Sequence, residues 1–270
     1  MNSVLVIEQP VSKRQTFRKW VLRITFFLAI AVPLIFMIAA LGSKFGVWDW
    51  KFGFGVLSRK IAPYVMLASL IFGFLSLILA IAVRPRRGFF TAALAILIPV
   101  AAGVHSKSVQ KMAGEFPLIH DITTDTQNPP TFSATMAEIR AKTEGVNTLD
   151  YVGKKDLREK KLVSVLQTRD YPDVRPLVMS DDVEVVFAEA KQVALQMGWD
   201  IVNEDAASGK LEATASTFWY GFKDDVVIRV RPSEGGGSVL DIRSVSRVGA
   251  SDLGANAARV KTFLKLMRVN

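Results

Sequence analysis

The sequence predicts a protein of two parts, in which three N-terminal transmembrane helices precede a C-terminal α+β two-layer sandwich. Three observations predict this fold class. The N-terminal part contains three long apolar runs, and the C-terminal part alternates helix-like and strand-like patterns. Charge is also divided unequally, since residues 1–111 carry 14 Lys and Arg against two acids and the remainder carries 20 against 23.

The three apolar runs lie at residues 24–41, 61–83 and 88–104. The second has 23 residues and the third 17, none of them charged. A hydrocarbon core of about 30 Å needs about 20 helical residues. We therefore expect residues 1–111 to form a membrane anchor with three spans, so that the lipid bilayer is a partner. The first run is longer than the apolar part of a cleaved signal peptide, which favours an uncleaved anchor.

Basic residues beside the spans predict the orientation. Before the first span and between the second and third spans lie Lys13, Arg14, Arg18, Lys19, Arg23, Arg84, Arg86 and Arg87. Because such residues favour the cytoplasmic side, we expect the N-terminus inside and the C-terminal domain outside the cytoplasm. The loop 42–60 also holds four basic residues, which weighs against this orientation.

We expect residues 112–170 to form an extended linker that includes a lysine-rich segment at 154–162. Residues 116–130 mix three prolines with turn-forming residues, a composition that favours turns over helix. The compact soluble domain is expected to fill residues 171–270.

Within that domain, Asp181 and Glu184 have the spacing of a capping box at the start of an amphipathic helix. Strand-like runs follow at 200–203, 211–218, 226–231 and 239–246, separated by turn-forming residues. A final helix is expected to begin at Ser251 as its N-cap. This order predicts an antiparallel sheet of about four strands with both helices on one face.

The hairpin loop at 232–238 predicts the register of the last two strands. Centring this loop places Arg229 opposite Asp241 and Val227 opposite Arg243. Because side chains alternate along a strand, the sheet then has one apolar face and one charged face. We favour a solvated ladder of ion pairs on the charged face, and the alternative is a face that binds a ligand or partner.

The densest polar motif is RSVSRVGASDLGANAAR at 243–259. With two aspartates upstream it gives a candidate binding or structural cluster: Asp224, Asp225, Arg243, Ser246, Arg247, Ser251, Asp252, Asn256 and Arg259. Backbone N–H groups at a helix start beside arginines can bind an anion. We favour the alternative, that the arginines pair with the aspartates and fix the turn.

The sequence offers no complete catalytic motif. It has no cysteine, which excludes disulfides, cysteine metal sites and thiol nucleophiles. His105 and His120 are both expected outside the folded domain, so a Ser-His-Asp arrangement is not expected there. A metal site at His120, Asp121 and Asp125 is disfavoured, and we expect no metal and no cofactor. The mildly acidic C-terminal part also gives no support for nucleic acid as a partner.

Several segments resemble the domain-of-unknown-function 1499 family: LEATAST, FWYGFKDDVVIRV and DIRSVSRVGASDLGANAARV. IHDITTDTQNPP and RDYPDVRPL are similar to its longer, membrane-anchored bacterial members, so the resemblance covers roughly 119–267. The turn FWYGF is bulkier than the aromatic-Gly-Phe turn expected of the family. The resemblance implies a bacterial envelope setting, hence the inner membrane, and supplies no catalytic residues.

Two functions remain open. The first is a non-catalytic, membrane-tethered module that binds an envelope protein, a lipid headgroup or another anionic ligand. The second is a hydrolase-like enzyme, or an anion or lipid-headgroup site, centred on Asp225, Arg243 and Arg247. A carboxylate with a perturbed pKa in a cleft beside the arginines would favour the second. A fully paired charged face would favour the first.

Overall fold

The structure is a computed structural model that describes residues 12–269. The chain separates into two compact units, one up to Gln110 and one from Lys111 onward. The two units are described separately below.

The N-terminal unit is helical. Helix α1 spans Lys13–Lys44, a π-helical segment at Lys51–Ile61 runs into α2 at Ala62–Ala82, and α3 spans Phe89–Glu115. Among residues 12–269, three helical segments are long and apolar enough to cross a membrane, which confirms the predicted spans.

Small residues occupy the buried positions of α2 and most of those of α1, and the two helices pack against each other, as is common where membrane helices approach closely. Thr25 and Ser76 join them through a 2.7 Å contact between their hydroxyl oxygens. Large apolar side chains point outward instead, with Phe27 70% and Phe90 76% exposed. This distribution suits helices surrounded by lipid.

The C-terminal unit is built on a six-stranded antiparallel sheet. Its strands are β1 (Asp121–Thr123), β2 (Leu177–Met179), β3 (Asp200–Asp205), β4 (Lys210–Ser216), β5 (Lys223–Pro232) and β6 (Ser238–Ser246). The order is β1-β6-β5-β4-β3, and β2 also pairs with β6. The four predicted strands are confirmed. The expected strand number omitted β1 and β2, which have three residues each.

The predicted hairpin register is confirmed. Arg229 lies opposite Asp241, and Val227 lies opposite Arg243. The alternation then directs Val226, Ile228 and the other predicted apolar residues of β4, β5 and β6 into the hydrophobic core.

Helices α6 (Val183–Gln196) and α7 (Ala255–Met267) cover the apolar face of the sheet, as predicted. Trp199 stacks on Phe263 between them, with ring centroids 5.5 Å apart. The predicted helix starts need correction. Asp182 is the N-cap of α6 and makes no capping hydrogen bond through its side chain, so the capping box does not form.

The predicted N-cap of the last helix was also wrong. Helix α7 begins after Gly254, whose left-handed backbone conformation has φ 81°. The side chain of Asp252 accepts hydrogen bonds from the N–H groups of Gly254 and Asn256, at 2.9 and 3.1 Å. Asp252, rather than Ser251, therefore accepts the hydrogen bonds of the backbone N–H groups at the start of this helix.

The largest correction concerns residues 112–170, which were expected to form an extended linker. This stretch contains β1, α4 (Ala134–Ala141) and α5 (Val163–Asp170), and it belongs to the C-terminal unit. Ile119, Ile122 and Leu166 are buried in the same core as the helices. The folded unit is thus about 60 residues longer than the predicted domain at 171–270, consistent with an ordinary domain size.

Candidate functional site

The candidate cluster divides between the two faces of the sheet. Because neighbouring strand residues face opposite ways, Asp224 lies on the side of α7 and Asp225 on the other side. Asp224 pairs with Arg259, whereas Asp225 pairs with Arg247. The sequence motif therefore supplies two separate polar groups and not one site.

Arg243 is at the centre of the face opposite the helices. Its Nε and Nη2 donate to the two carboxylate oxygens of Asp121, at 2.9 and 2.8 Å. The remaining donors reach the carbonyls of Pro130 and Leu149. Arg243 is 2% exposed and Asp121 is fully buried. A bidentate pair with this many hydrogen bonds satisfies both buried charges.

Two aromatic rings enclose this guanidinium. Its central carbon lies 5.5 Å from the ring centroid of Phe132 and 5.6 Å from that of Tyr151. Both distances fall within cation–π range. Asp121, Phe132 and Tyr151 were not in the candidate cluster, because they lie in the segment that was expected to be a linker.

Asp225 is shared by two arginines. Arg247 donates to both of its oxygens, through Nε at 2.8 Å and Nη2 at 2.7 Å, and Arg140 of α4 donates at 2.6 Å. The hydroxyl of Thr214 also donates to it, at 2.8 Å. Asp225 is fully buried, and the side chains of Arg140 and Arg247 are 2% and 7% exposed. Its acceptor positions are thus occupied from within the domain.

Two further buried carboxylates on this face also have hydrogen-bond partners within the domain. Asp241, fully buried, accepts from Arg229 and Arg231. Glu212, also fully buried, accepts from the backbone N–H and the hydroxyl of Ser133. The prediction of a solvated ladder of ion pairs was therefore wrong for the carboxylates, which the segment from Thr124 to Tyr151 covers. Arg229 and Arg231 keep appreciable exposure, at 22% and 46%.

A second polar group lies on the helix side. Arg259 donates to Asp224 at 2.6 Å and to the hydroxyl of Ser244 at 3.0 Å. Asn256, fully buried, accepts from Ser244 at 2.6 Å and donates to the hydroxyl of Ser246 at 2.9 Å. These contacts fasten the first turn of α7 to the end of β6.

The start of α7, considered from the sequence as an alternative anion site, is occupied by groups of the domain itself. Asp252 takes the N–H groups of Gly254 and Asn256, and burial raises the pKa of its carboxyl. Ser251 accepts from the N–H of Leu253 and donates to the carbonyl of Pro117. The alternative favoured from the sequence, that the arginines pair with the aspartates and fix the turn, holds for Asp224 and Asp225, whereas Asp252 accepts from backbone N–H groups instead.

The two histidines separate in the structure. His105 lies in α3, whereas His120 immediately precedes β1 and lies inside the folded domain, contrary to the prediction. Its Nδ1 lies 3.2 Å from the carbonyl of Ala250, and its Nε2 lies 3.0 Å from Nζ of Lys154. Burial, followed by the charge of Lys154, lowers the pKa of His120. Burial also lowers the pKa of Lys154.

The carboxylates near His120 do not converge on a metal position. Asp121 faces Arg243, and Asp125 accepts from the backbone N–H groups of Gln127 and Asn128. Among residues 12–269 there is no group of three or more His, Cys, Asp or Glu side chains arranged to hold a metal.

An open cleft of about 240 Å³ lies away from the candidate cluster, with Thr124, Asp125, Tyr171 and Arg175 among its lining residues. Burial raises the pKa of Tyr171 to about 12. No sequence pattern indicates this cleft, because its walls come from two segments about 45 residues apart.

The fold and the buried charges define a class: an α+β domain, with internally paired ionic groups, that follows three helices able to span a membrane. The chain belongs to the family described as "Protein of unknown function (DUF1499)", which matches residues 121–267. This confirms the resemblance drawn from the sequence motifs. No curated protein matches the chain.

Proposed function

We propose that this chain is a membrane-anchored protein of the bacterial envelope whose C-terminal domain lies outside the cytoplasm and acts as a non-catalytic binding module. One observation carries the proposal. Asp225, Arg243 and Arg247, the residues around which a catalytic or anion-binding site was considered, are buried and hold one another or other protein groups. Their arrangement supports a structural role.

A hydrolase of the kind considered would need a carboxylate that a substrate can reach. Both oxygens of Asp225 are engaged by arginine, and the carboxylate has no exposed surface. Asp224, the neighbouring acid, is held by Arg259 on the opposite side of the sheet. The two aspartates therefore cannot act on one substrate as an acid–base pair, which supports a module over an enzyme.

The placement outside the cytoplasm rests on the sequence. Basic residues are concentrated before the first span and between the second and third spans, two segments that three spans place on one side. Such segments favour the cytoplasm. The family membership and the three helices support an anchored protein.

Two measurements on the full chain test this proposal. When a photo-crosslinking residue replaces exposed Trp219 or Leu157, irradiation of native membranes should produce covalent adducts of the protein. These adducts should not form without irradiation. Purified protein should hydrolyse phosphate and carboxylate esters no faster than its Asp225→Asn variant. Absence of adducts at both positions would contradict the binding role. Hydrolysis abolished by Asp225→Asn, with folding retained by circular dichroism, would overturn the non-catalytic assignment.

A further inference from the structure

One end of the sheet gathers features that the candidate cluster does not explain. Residue Asp121 pairs with Val245, and Asp224 pairs with Ser246. The start of β1, the start of β5 and the end of β6 therefore lie at the same end of the sheet. Since only β6 separates β1 from β5, their starts are about 10 Å apart.

Two segments consequently meet at this end. The incoming segment, residues 116–120, leads from α3 into β1. The aromatic turn, residues 217–222, connects β4 to β5. The chain thus enters the folded domain at the end that carries this turn.

The aromatic turn presents large apolar side chains on a closed backbone. Phe218 is 68% and Trp219 is 55% exposed, and their rings meet edge to face. The N–H of Thr217 donates to the carbonyl of Phe222 at 2.8 Å, and the N–H of Phe222 donates to the Thr217 hydroxyl at 2.9 Å. These bonds fix the hairpin tip that holds the two exposed rings.

A basic loop, residues 152–162, lies beside the incoming segment. It contains five basic residues and two acids. Arg158 donates to the carbonyl of Gly114 at 3.3 Å, and Lys154 lies 3.0 Å from the ring of His120. The loop also exposes Val152 and Leu157, at 71% and 66%. Apolar and basic side chains therefore share the surface near the point of chain entry.

We propose that this end of the domain rests on the lipid bilayer, with Phe218 and Trp219 inserted at the interface and the basic loop bound to anionic phospholipid headgroups. Aromatic side chains favour the membrane–water interface, and basic residues are attracted to anionic lipid. The inference rests on the proposed membrane anchorage. The bilayer is preferred to a protein partner because the surface adjoins the segment that arrives from a membrane helix and carries positive charge.

Single cysteines can test this arrangement directly, because the chain has none of its own. The full chain is labelled with an environment-sensitive fluorophore at Trp219→Cys or Leu157→Cys. Glu234→Cys, in the exposed turn at the opposite end of β5, is the matched control. Ile71→Cys, on the exposed surface of α2, reports membrane insertion itself. Each protein is reconstituted in vesicles of phosphatidylcholine and phosphatidylglycerol, with or without spin-labelled lipid.

We expect spin-labelled lipid to quench most of the fluorescence at residues 71 and 219, to quench residue 157 appreciably, and to leave residue 234 unchanged. Omitting phosphatidylglycerol should reduce quenching at residue 157 more than at residue 219. Quenching at 71 without quenching at 219 and 157 would overturn the inference while leaving the anchorage intact. Shielding of residue 219 from aqueous iodide without lipid quenching would likewise overturn it and indicate a protein contact. No quenching at 71 would refute the anchorage itself.

Discussion

Arg243 and Asp121 form a buried bidentate ion pair between β6 and β1, although 122 positions separate them in the chain. This pair ties the first strand of the domain to its centre. It also fixes the guanidinium between Phe132 and Tyr151. The part of the charged face that holds this pair therefore lies in the interior of the protein.

Removing one member of this pair should destabilise the domain strongly. Arg243→Ala leaves the buried Asp121 carboxylate with only the more distant Lys154, at 3.8 Å, and a broken buried pair costs about 3–5 kcal/mol. The double variant Asp121→Leu, Arg243→Met should cost less than either single alanine variant, because both members of the fully buried pair are removed together and only the partly exposed Lys154 loses a neighbouring carboxylate. Denaturant unfolding of the full chain in detergent measures this difference. As a control, Lys261→Ala removes the exposed pair with Asp173 and should cost less than about 1 kcal/mol. Equal losses for Arg243→Ala and Lys261→Ala would contradict the prediction.

His120 should make the stability of the domain depend on pH. Its pKa in the folded chain is lowered, first by burial and then by Lys154, while an unfolded histidine titrates near about 6.5. The folded chain therefore binds fewer protons than the unfolded chain. The contribution of His120 to the free energy of unfolding is complete above about pH 6.5 and is lost as pH falls towards the folded-state pKa.

The corresponding measurement is thermal melting between about pH 5 and about pH 7.5. His120→Gln should reduce the dependence of the melting temperature on pH. His105→Gln is the matched control and should melt with the pH dependence of the wild type. If His120→Gln and the wild type show the same slope, His120 does not titrate as the geometry requires.

The boundary of the folded unit predicts how truncated chains behave. A fragment of residues 111–270 keeps β1 and the core residues Ile119, Ile122 and Leu166, and it should unfold cooperatively on its own. A fragment of residues 171–270 lacks them and uncovers the charged face. We expect it to aggregate or to melt without a cooperative transition. Cooperative melting of the shorter fragment would support the boundary first predicted from the sequence.

Membrane topology is predicted by the distribution of basic residues. A phosphatase reporter that needs export should be active when fused after Val269, and a reporter that needs the cytoplasm should be inactive there. Fusions after Arg87, between the second and third spans, should give the opposite pattern. Reversed activities at the two sites would refute the proposed orientation and would assign its control to the basic loop 42–60.

The sequence predicted the elements that carry a local signal. The hairpin loop and the alternation of side chains were enough to place Arg229 opposite Asp241 and to separate Asp224 from Asp225. Three runs of apolar residues were enough to locate the helices that are long and apolar enough to cross a membrane. Each of these signals lies within a few tens of residues.

The burial of the charged face could not be predicted in the same way. Strand β1 has three residues, too few for a periodic pattern, and the covering segment is rich in proline and turn-forming residues. Arg140 lies 85 positions from its partner Asp225. Acids and arginines that alternate along a strand look alike whether water or another segment covers them, so only the tertiary structure distinguishes the two.

The most direct test of a structural charged face is a melting series of Arg243→Ala and Arg247→Ala in the full chain, with and without inorganic phosphate. Because both arginines hold buried carboxylates, each variant should melt well below the wild type. Phosphate should shift all three proteins alike, since no anion site is lost. Unchanged melting temperatures, together with a phosphate stabilisation that only the wild type shows, would contradict the account and establish the arginines as an anion-binding site.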